Sequence, residues 1–224
     1  MHIVVCIDEF QQIGEWADSL TIQKRMRSVW QHQQHTSYCL FGSKKHLLAN
    51  LFQNRRMPFY HFGDTIFLKP ISTSDWIPFI CGKFAEKGKK ISEELVSKIC
   101  STVASHSSYV QQLAWNIMVN TETEVTDEIF QQSISELLAQ CSPLFIQQIQ
   151  GLTTYQMNLI RCLCQGVRKD FTSKDVLETY KLGSKSNISR LKKTLVEKEI
   201  IEEEGDTITL ADPIFELWFK REYM

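Results

Sequence analysis

Ile3-Val4-Val5-Cys6-Ile7, followed at once by Asp8-Glu9, decides how the rest of the 224-residue chain is read. An unbroken apolar run leaves no polar face, which is the pattern of a strand buried on both faces of a parallel sheet. Carboxylates placed directly after such a strand stand at its carboxyl end, the edge of an open parallel sheet where ligands bind. Moving outward, Gln23 to Gln34 reads as a helix and Ser37-Tyr38-Cys39-Leu40-Phe41-Gly42 as a second apolar strand. Lys44 to Phe52 reads as another helix, and Thr65-Ile66-Phe67-Leu68 as a third strand closed by Lys69-Pro70. This β-α-β-α-β order predicts an α/β layer, with helices covering a mostly parallel sheet.

From Ser74 the strand signals stop and the chain becomes mostly α. Apolar residues at helical spacing predict helices over 75–86, 92–104, 108–119 and 126–141. Ser92 and Thr126 are suited to be N-caps, with Glu93-Glu94 and Asp127-Glu128 in the first turns. Past residue 150, Thr153 to Gln165, Thr172 to Tyr180 and Ser184 to Lys198 read as three helices. Ile200-Ile201 and Thr207-Ile208-Thr209-Leu210 then flank a charged tip, Glu202-Glu203-Glu204-Gly205-Asp206, as a hairpin. Three helices followed by a two-stranded ribbon describe a winged helix-turn-helix. The apolar Ile214-Phe215-Glu216-Leu217-Trp218-Phe219 is expected to pack back on its core. The expected organisation is therefore a sheet region, 1–73, a helical region, 74–150, and a winged helix, 151–224.

Composition narrows the function classes. Lys and Arg total 25 against 26 Asp and Glu, a net charge of −1, which excludes a globally basic nucleic-acid coat while leaving room for a local basic face. No stretch of 18 apolar residues exists, so neither a membrane-spanning helix nor a secretory signal is expected. Nine Gly is about half the usual share of roughly 7%, which argues against an all-β chain of tight turns. Seven Cys, an odd number with no Cys-x-x-Cys pair, point to reduced thiols and a cytoplasmic location. His32 and His35 fall in a Gln-rich run that reads as a solvated helix end rather than a metal site.

The carboxyl ends of the two strands carry the candidate chemistry. Asp8-Glu9 fits a Walker B pair: Asp8 holds Mg²⁺ through its water shell, and Glu9 orients and deprotonates the attacking water. The plainer alternative is a polar strand end. Ser43, at the tip of the second strand, is suited to sense a γ-phosphate because its hydroxyl both donates and accepts. It is equally suited to cap the helix that follows. In the winged helix, Lys185, Arg190, Lys192 and Lys193 precede the first acid, Glu197. Asn187, with Ser184, Ser186 and Ser189, adds short polar groups that reach phosphates and base edges. The acidic wing tip opposes DNA, so a protein-docking wing stands as the alternative.

Taken in order, Ile3 to Phe10, Cys39-Leu40-Phe41-Gly42-Ser43, Met57-Pro58-Phe59-Tyr60 and Ile66-Phe67-Leu68-Lys69-Pro70-Ile71 resemble the archaeal-type ATPases. That is a prokaryotic branch of the AAA+ and STAND P-loop NTPases. Tyr109-Val110-Gln111-Gln112-Leu113-Ala114 looks like the family's lid helix, and Asp212-Pro213-Ile214-Phe215-Glu216-Leu217-Trp218 like the close of its winged helix. The resemblance implies an ATPase using ATP and Mg²⁺, and a partial P-loop sheet followed by a helical lid and a winged helix.

The departures are specific. A phosphate loop, Gly-x-x-x-x-Gly-Lys-Ser/Thr, occurs nowhere in these 224 residues. In the family that segment also supplies the central strand, between the sensor strand and the last one, so a sheet lacking its middle is expected. Pro58-Phe59-Tyr60-His61-Phe62 stands where the family carries Pro-Leu-Tyr-Gly-Arg. Arg55 and Arg56, just upstream, are candidates for an arginine finger toward a neighbouring subunit or for a solvated helix end. The lid's Gly-Gly-x-Pro is replaced by Ser105-His106-Ser107-Ser108, with His106 the candidate to face a phosphate. The chain is about one P-loop half-domain short of the family and reads as its C-terminal portion. Neither tight ATP binding nor hydrolysis is expected from it alone. The alternatives are a non-enzymatic DNA-binding or regulatory module with a degenerate ATPase remnant, and a protein–protein adaptor; a homo-oligomer is a further expected assembly, and no membrane partner is expected.

Overall fold

A computed structural model describes residues 1–224, the side chains of Lys45 and His46 excepted. The chain divides into two compact units, Met1–Lys69 and Pro70–Met224.

In the first unit, β1 (Ile3–Ile7) and β2 (Thr36–Leu40) pair in parallel, with Ile3 opposite Thr36 and Ile7 opposite Leu40. A 3-10 turn over Phe10–Glu15, α1 (Ser19–Trp30) and α2 (Lys45–Gln53) complete the unit. α1 begins earlier than its apolar periodicity suggested. Phe10, Ile13, Leu51 and Phe59 form the buried centre, with Ile7, Leu40, Met26 and Trp30 packed around it. Trp30 stacks on Tyr38 at 4.0 Å between ring centroids. The Arg27 guanidinium donates to the Pro58 and Tyr60 carbonyls, fastening the 54–62 turns to α1.

Two expectations for this unit are corrected. β1 is covered on one face only: Val4, Cys6 and Cys39 point the other way and are exposed, because among the described residues no helix packs there. Thr65-Ile66-Phe67-Leu68 forms no strand, and Ile66 and Leu68 are more than four-fifths exposed. A strand exists only where a neighbour receives its backbone bonds. The resemblance sets a central strand between β2 and this segment, and the 224 residues contain none.

In the second unit, α3 (Thr73–Glu86), α4 (Glu93–Thr102), α5 (Ser107–Asn120) and α6 (Asp127–Ile149) follow one another. Ser72, Ser92 and Thr126 each accept a backbone N–H as N-caps, the last two as their sequence suggested. Then come α7 (Thr154–Cys164), α8 (Lys174–Thr179) and α9 (Lys185–Glu197). β3 (Ile201–Glu204) pairs antiparallel with β4 (Thr207–Leu210), and α10 (Pro213–Tyr223) closes the chain. Thr153 and Gln156 make a full capping box at the start of α7.

One hydrophobic core runs the length of this unit, from Trp76 and Phe84 through Leu113, Leu137 and Phe145 to Leu163, Leu191, Trp218 and Phe219. The helical and winged-helix regions therefore share their interior. α10 supplies the join, since its apolar face packs back as expected. Asp212 caps it, one oxygen accepting from Ile214 N–H at 2.7 Å and Phe215 N–H at 3.0 Å. The other oxygen accepts from the Tyr109 hydroxyl of α5 at 2.5 Å. Trp218 Nε1 donates to Ser142 Oγ of α6 at 3.0 Å. Burial first, and then the Asp212 carboxylate, push the Tyr109 hydroxyl well above its ordinary pKa, so it remains a donor across the neutral range.

Asp212→Ala removes a helix cap and a carboxylate bond together and is expected to destabilise the second unit by roughly 2–3 kcal/mol. Tyr109→Phe, which removes one bond, is expected to cost about half of that. Differential scanning calorimetry of the full chain reads both.

Candidate functional site

The first candidate lies at the carboxyl ends of β1 and β2. Beyond the strands the pairing continues: Phe41 N–H donates to Ile7 O at 3.1 Å, and Phe10 N–H donates to Phe41 O at 3.0 Å. These bonds hold the two strand ends in step. Asp8 is exposed there and accepts its neighbour's backbone N–H, from Glu9, at 2.8 Å. Glu9 is half-buried with φ +49°, a left-handed conformation that a non-glycine residue adopts at a cost. That turn carries its carboxylate across to the second strand end. There Ser43 N–H and Ser43 Oγ each donate to it at 3.3 Å.

Ser43 thus meets the Glu9 carboxylate, one residue before Lys44, which stands at the N-cap position of α2.

Gln11 was not singled out from the sequence, although it sits against this pair. Its side chain is 2% exposed, its Nε2 donates to Glu9, and its Oε1 has no partner among the described residues. A Cβ on Gly42 would lie 1.8 Å from that Oε1. Gly42 leaves the room that the end of the buried Gln11 side chain occupies, which no local sequence pattern announces.

Asp8, Glu9 and Ser43 are oxygen donors, the type suited to a hard cation that keeps most of its water, as Mg²⁺ does. No group of three or more His, Cys, Asp or Glu able to hold a metal by themselves occurs among the described residues. Arg55 and Arg56 are exposed in the turn after α2, and neither guanidinium bonds to Asp8, Glu9 or Ser43 among the described residues. His106 is exposed at the N-cap of α5, its ring 4.9 Å from that of Tyr109.

The second candidate is the start of α9. Ser184 is its N-cap but makes no side-chain capping bond, leaving the first-turn N–H groups unmet by it. A depression of about 350 Å³ lies there, lined by Tyr155, Gly183, Ser184, Ser186, Asn187 and Arg190. Arg190 donates to Asn187 Oδ1 at 3.1 Å, and Asn187 Nδ2 donates to Leu182 O at 3.1 Å, so the two side chains are held in place.

Of the four cations, Lys185, Arg190 and Lys193 stand exposed, Lys193 3.8 Å from a likewise exposed Glu197, whereas Lys192 lies over the Phe171 ring at 5.1 Å. Tyr155, from α7, was not anticipated; only the fold brings it to α9. Glu202-Glu203-Glu204, expected in the charged tip, instead lie in β3, paired with β4 and exposed, and the turn is confined to Gly205-Asp206.

A family described as a probable winged helix domain matches residues 143–221, beginning inside α6. The Walker-type ATPase paby2304 of Pyrococcus abyssi superposes with a TM-score of 0.73 at 16% identity, over 98% of this chain and 63% of that one. The Orc1 protein of Aeropyrum pernix, solved in complex with DNA, superposes with a TM-score of 0.50 at 16% identity, over 98% and 64%. The chain has the fold of the part of each structure that it covers. The winged helix closes it, and the chain spans less than two thirds of either solved relative. No curated protein matches by sequence. Among the described residues, no helix is long and apolar enough to cross a membrane.

Gly42→Ala forces Gln11 out of its place and is expected to destabilise the first unit by about 1–3 kcal/mol. Pairing it with Gln11→Ala, which clears the space, is expected to recover part of that loss. Hydrogen exchange of the β1 and β2 amides, followed by mass spectrometry, measures both.

Proposed function

We propose that this chain carries the Walker B and sensor half of an ATP-binding, AAA+-type module, joined through a lid to a DNA-contacting winged helix. The observation that carries the reading is the junction of Glu9 with Ser43 across the ends of two parallel strands. In this reading Asp8 would hold the hydrated Mg²⁺ of MgATP, and Glu9 would be the base for the attacking water once the phosphate loop completes the module. Ser43 and Gln11 fix the Glu9 carboxylate toward the nucleotide. When bound, Mg²⁺ neutralises phosphate charge. Arg55 and Arg56, exposed on the turn after α2, are free to reach the phosphates of a neighbouring subunit in an oligomer. The seven free cysteines accord with a cytoplasmic location.

A phosphate loop supplies the backbone N–H cradle and the lysine on which phosphoryl transfer depends, since that chemistry is mostly positioning and charge neutralisation. The 224 residues have no such loop. ATP turnover by this chain alone is therefore expected to stay at the buffer background. A malachite-green assay measures it, and magnesium-dependent turnover abolished by Glu9→Gln would contradict the reading.

For the winged helix, the depression at the start of α9 favours a phosphate backbone held by Lys185, Asn187, Arg190 and the α9 N-terminus. Lys192, set over the Phe171 ring, contributes less. Fluorescence anisotropy on duplex DNA is expected to show salt-dependent binding. Lys185→Ala with Arg190→Ala should weaken it and make the log–log salt slope shallower by about 2. Binding that ignores both substitutions would favour the adaptor alternative, which the acidic wing suits.

A further inference from the structure

α5 is a 14-residue surface helix without a single charged side chain, and it leaves Trp115 63% exposed. Surface helices normally turn charge to water. A helix that turns a tryptophan and amides there has the composition of an interface centre, in which charge is depleted and tryptophan enriched.

Trp115 is one wall of a groove of about 670 Å³ between α5 and α3. Phe79 of α3, 51% exposed, forms the other wall, and Phe84 and Met118 lie in the floor. Along α3 the lining recurs from Trp76 to Lys87 at intervals of three and four, and along α5 from Ser108 to Met118. The groove therefore follows both helices for about three turns, roughly 16 Å. Its length and apolar floor fit a helix lying in a groove.

The rim carries charge on the α3 side. Lys83 and Lys87 stand one turn apart there, with Glu86 held by Lys83 at 2.9 Å, while α5 offers Gln111 and Gln112. With Glu86 set off against Lys83, the lining keeps an excess of one positive charge, at Lys87, and an acidic occupant meets complementary charge there.

We propose that the α3–α5 groove docks an amphipathic helix of a partner protein, whose apolar stripe covers Phe79 and Trp115 and whose acidic residues face Lys83 and Lys87. This surface is separate from both candidate sites above and does not depend on ATP or DNA binding.

The test uses the full chain and two synthetic, fluorescein-labelled 18-residue helical peptides. They share one Leu/Phe stripe and carry either Glu or Lys along its flank. Anisotropy is expected to show saturable binding of the Glu peptide, at least tenfold tighter than the Lys peptide. Trp115→Ala should weaken it at least tenfold, and Lys83→Glu with Lys87→Glu should reverse the preference. All three side chains are exposed, and circular dichroism melts confirm that the variants fold. Binding of neither peptide, equal binding of both, or indifference to Trp115→Ala overturns the proposal. So does a dimer in light scattering that Trp115→Ala disperses, which would give the groove to a second copy.

Discussion

The bonds from Phe41 N–H to Ile7 O and from Phe10 N–H to Phe41 O carry the first unit's chemistry, because they lock two strand ends into one edge. With that register fixed, the left-handed turn at Glu9 has a single direction in which to send its carboxylate, toward Ser43. A one-residue slip would turn every side chain of the strand to its other face and separate the pair. Gly42 permits this closeness, and Gln11 fills it. The edge is therefore built from both strands at once, and its acid is braced by a hydroxyl, a backbone N–H and a buried amide.

The second unit is governed by a different constraint, a continuous core. α6 has 23 residues, and with α10 it draws the helical region and the winged helix around one set of buried side chains. The Tyr109–Asp212 and Trp218–Ser142 bonds tie α10 to α5 and α6 within that core. A displacement of α3–α6 would be felt at α9, since packed interiors transmit strain.

Much of this was legible in the residues. The apolar runs of β1 and β2, the capping residues Ser92 and Thr126 and the helix–helix–helix–ribbon order all act locally, and each appears where its pattern placed it. What was not legible depended on neighbours far along the chain. Thr65 to Leu68 has strand composition but no ladder to join, and composition cannot report a missing partner. Val4 and Cys6 face outward for the same reason. The bond of Ser43 to Glu9 joins residues 34 positions apart, and neither local pattern announces it. Tyr109 and Asp212 lie 103 positions apart, so their bond follows from packing alone. Lys192 looked like part of an open basic face, and only the fold sets it over Phe171, 21 positions earlier.

The central claim is that these residues form the carboxylate edge of a nucleotide site without the cradle that grips the phosphates. Equilibrium titration of the full chain with a fluorescent ATP analogue, with and without Mg²⁺, tests it most directly. The account predicts no saturation below millimolar nucleotide under either condition. Saturable micromolar binding that requires Mg²⁺ and is lost in Asp8→Asn would contradict it, because the edge alone would then suffice to hold the nucleotide.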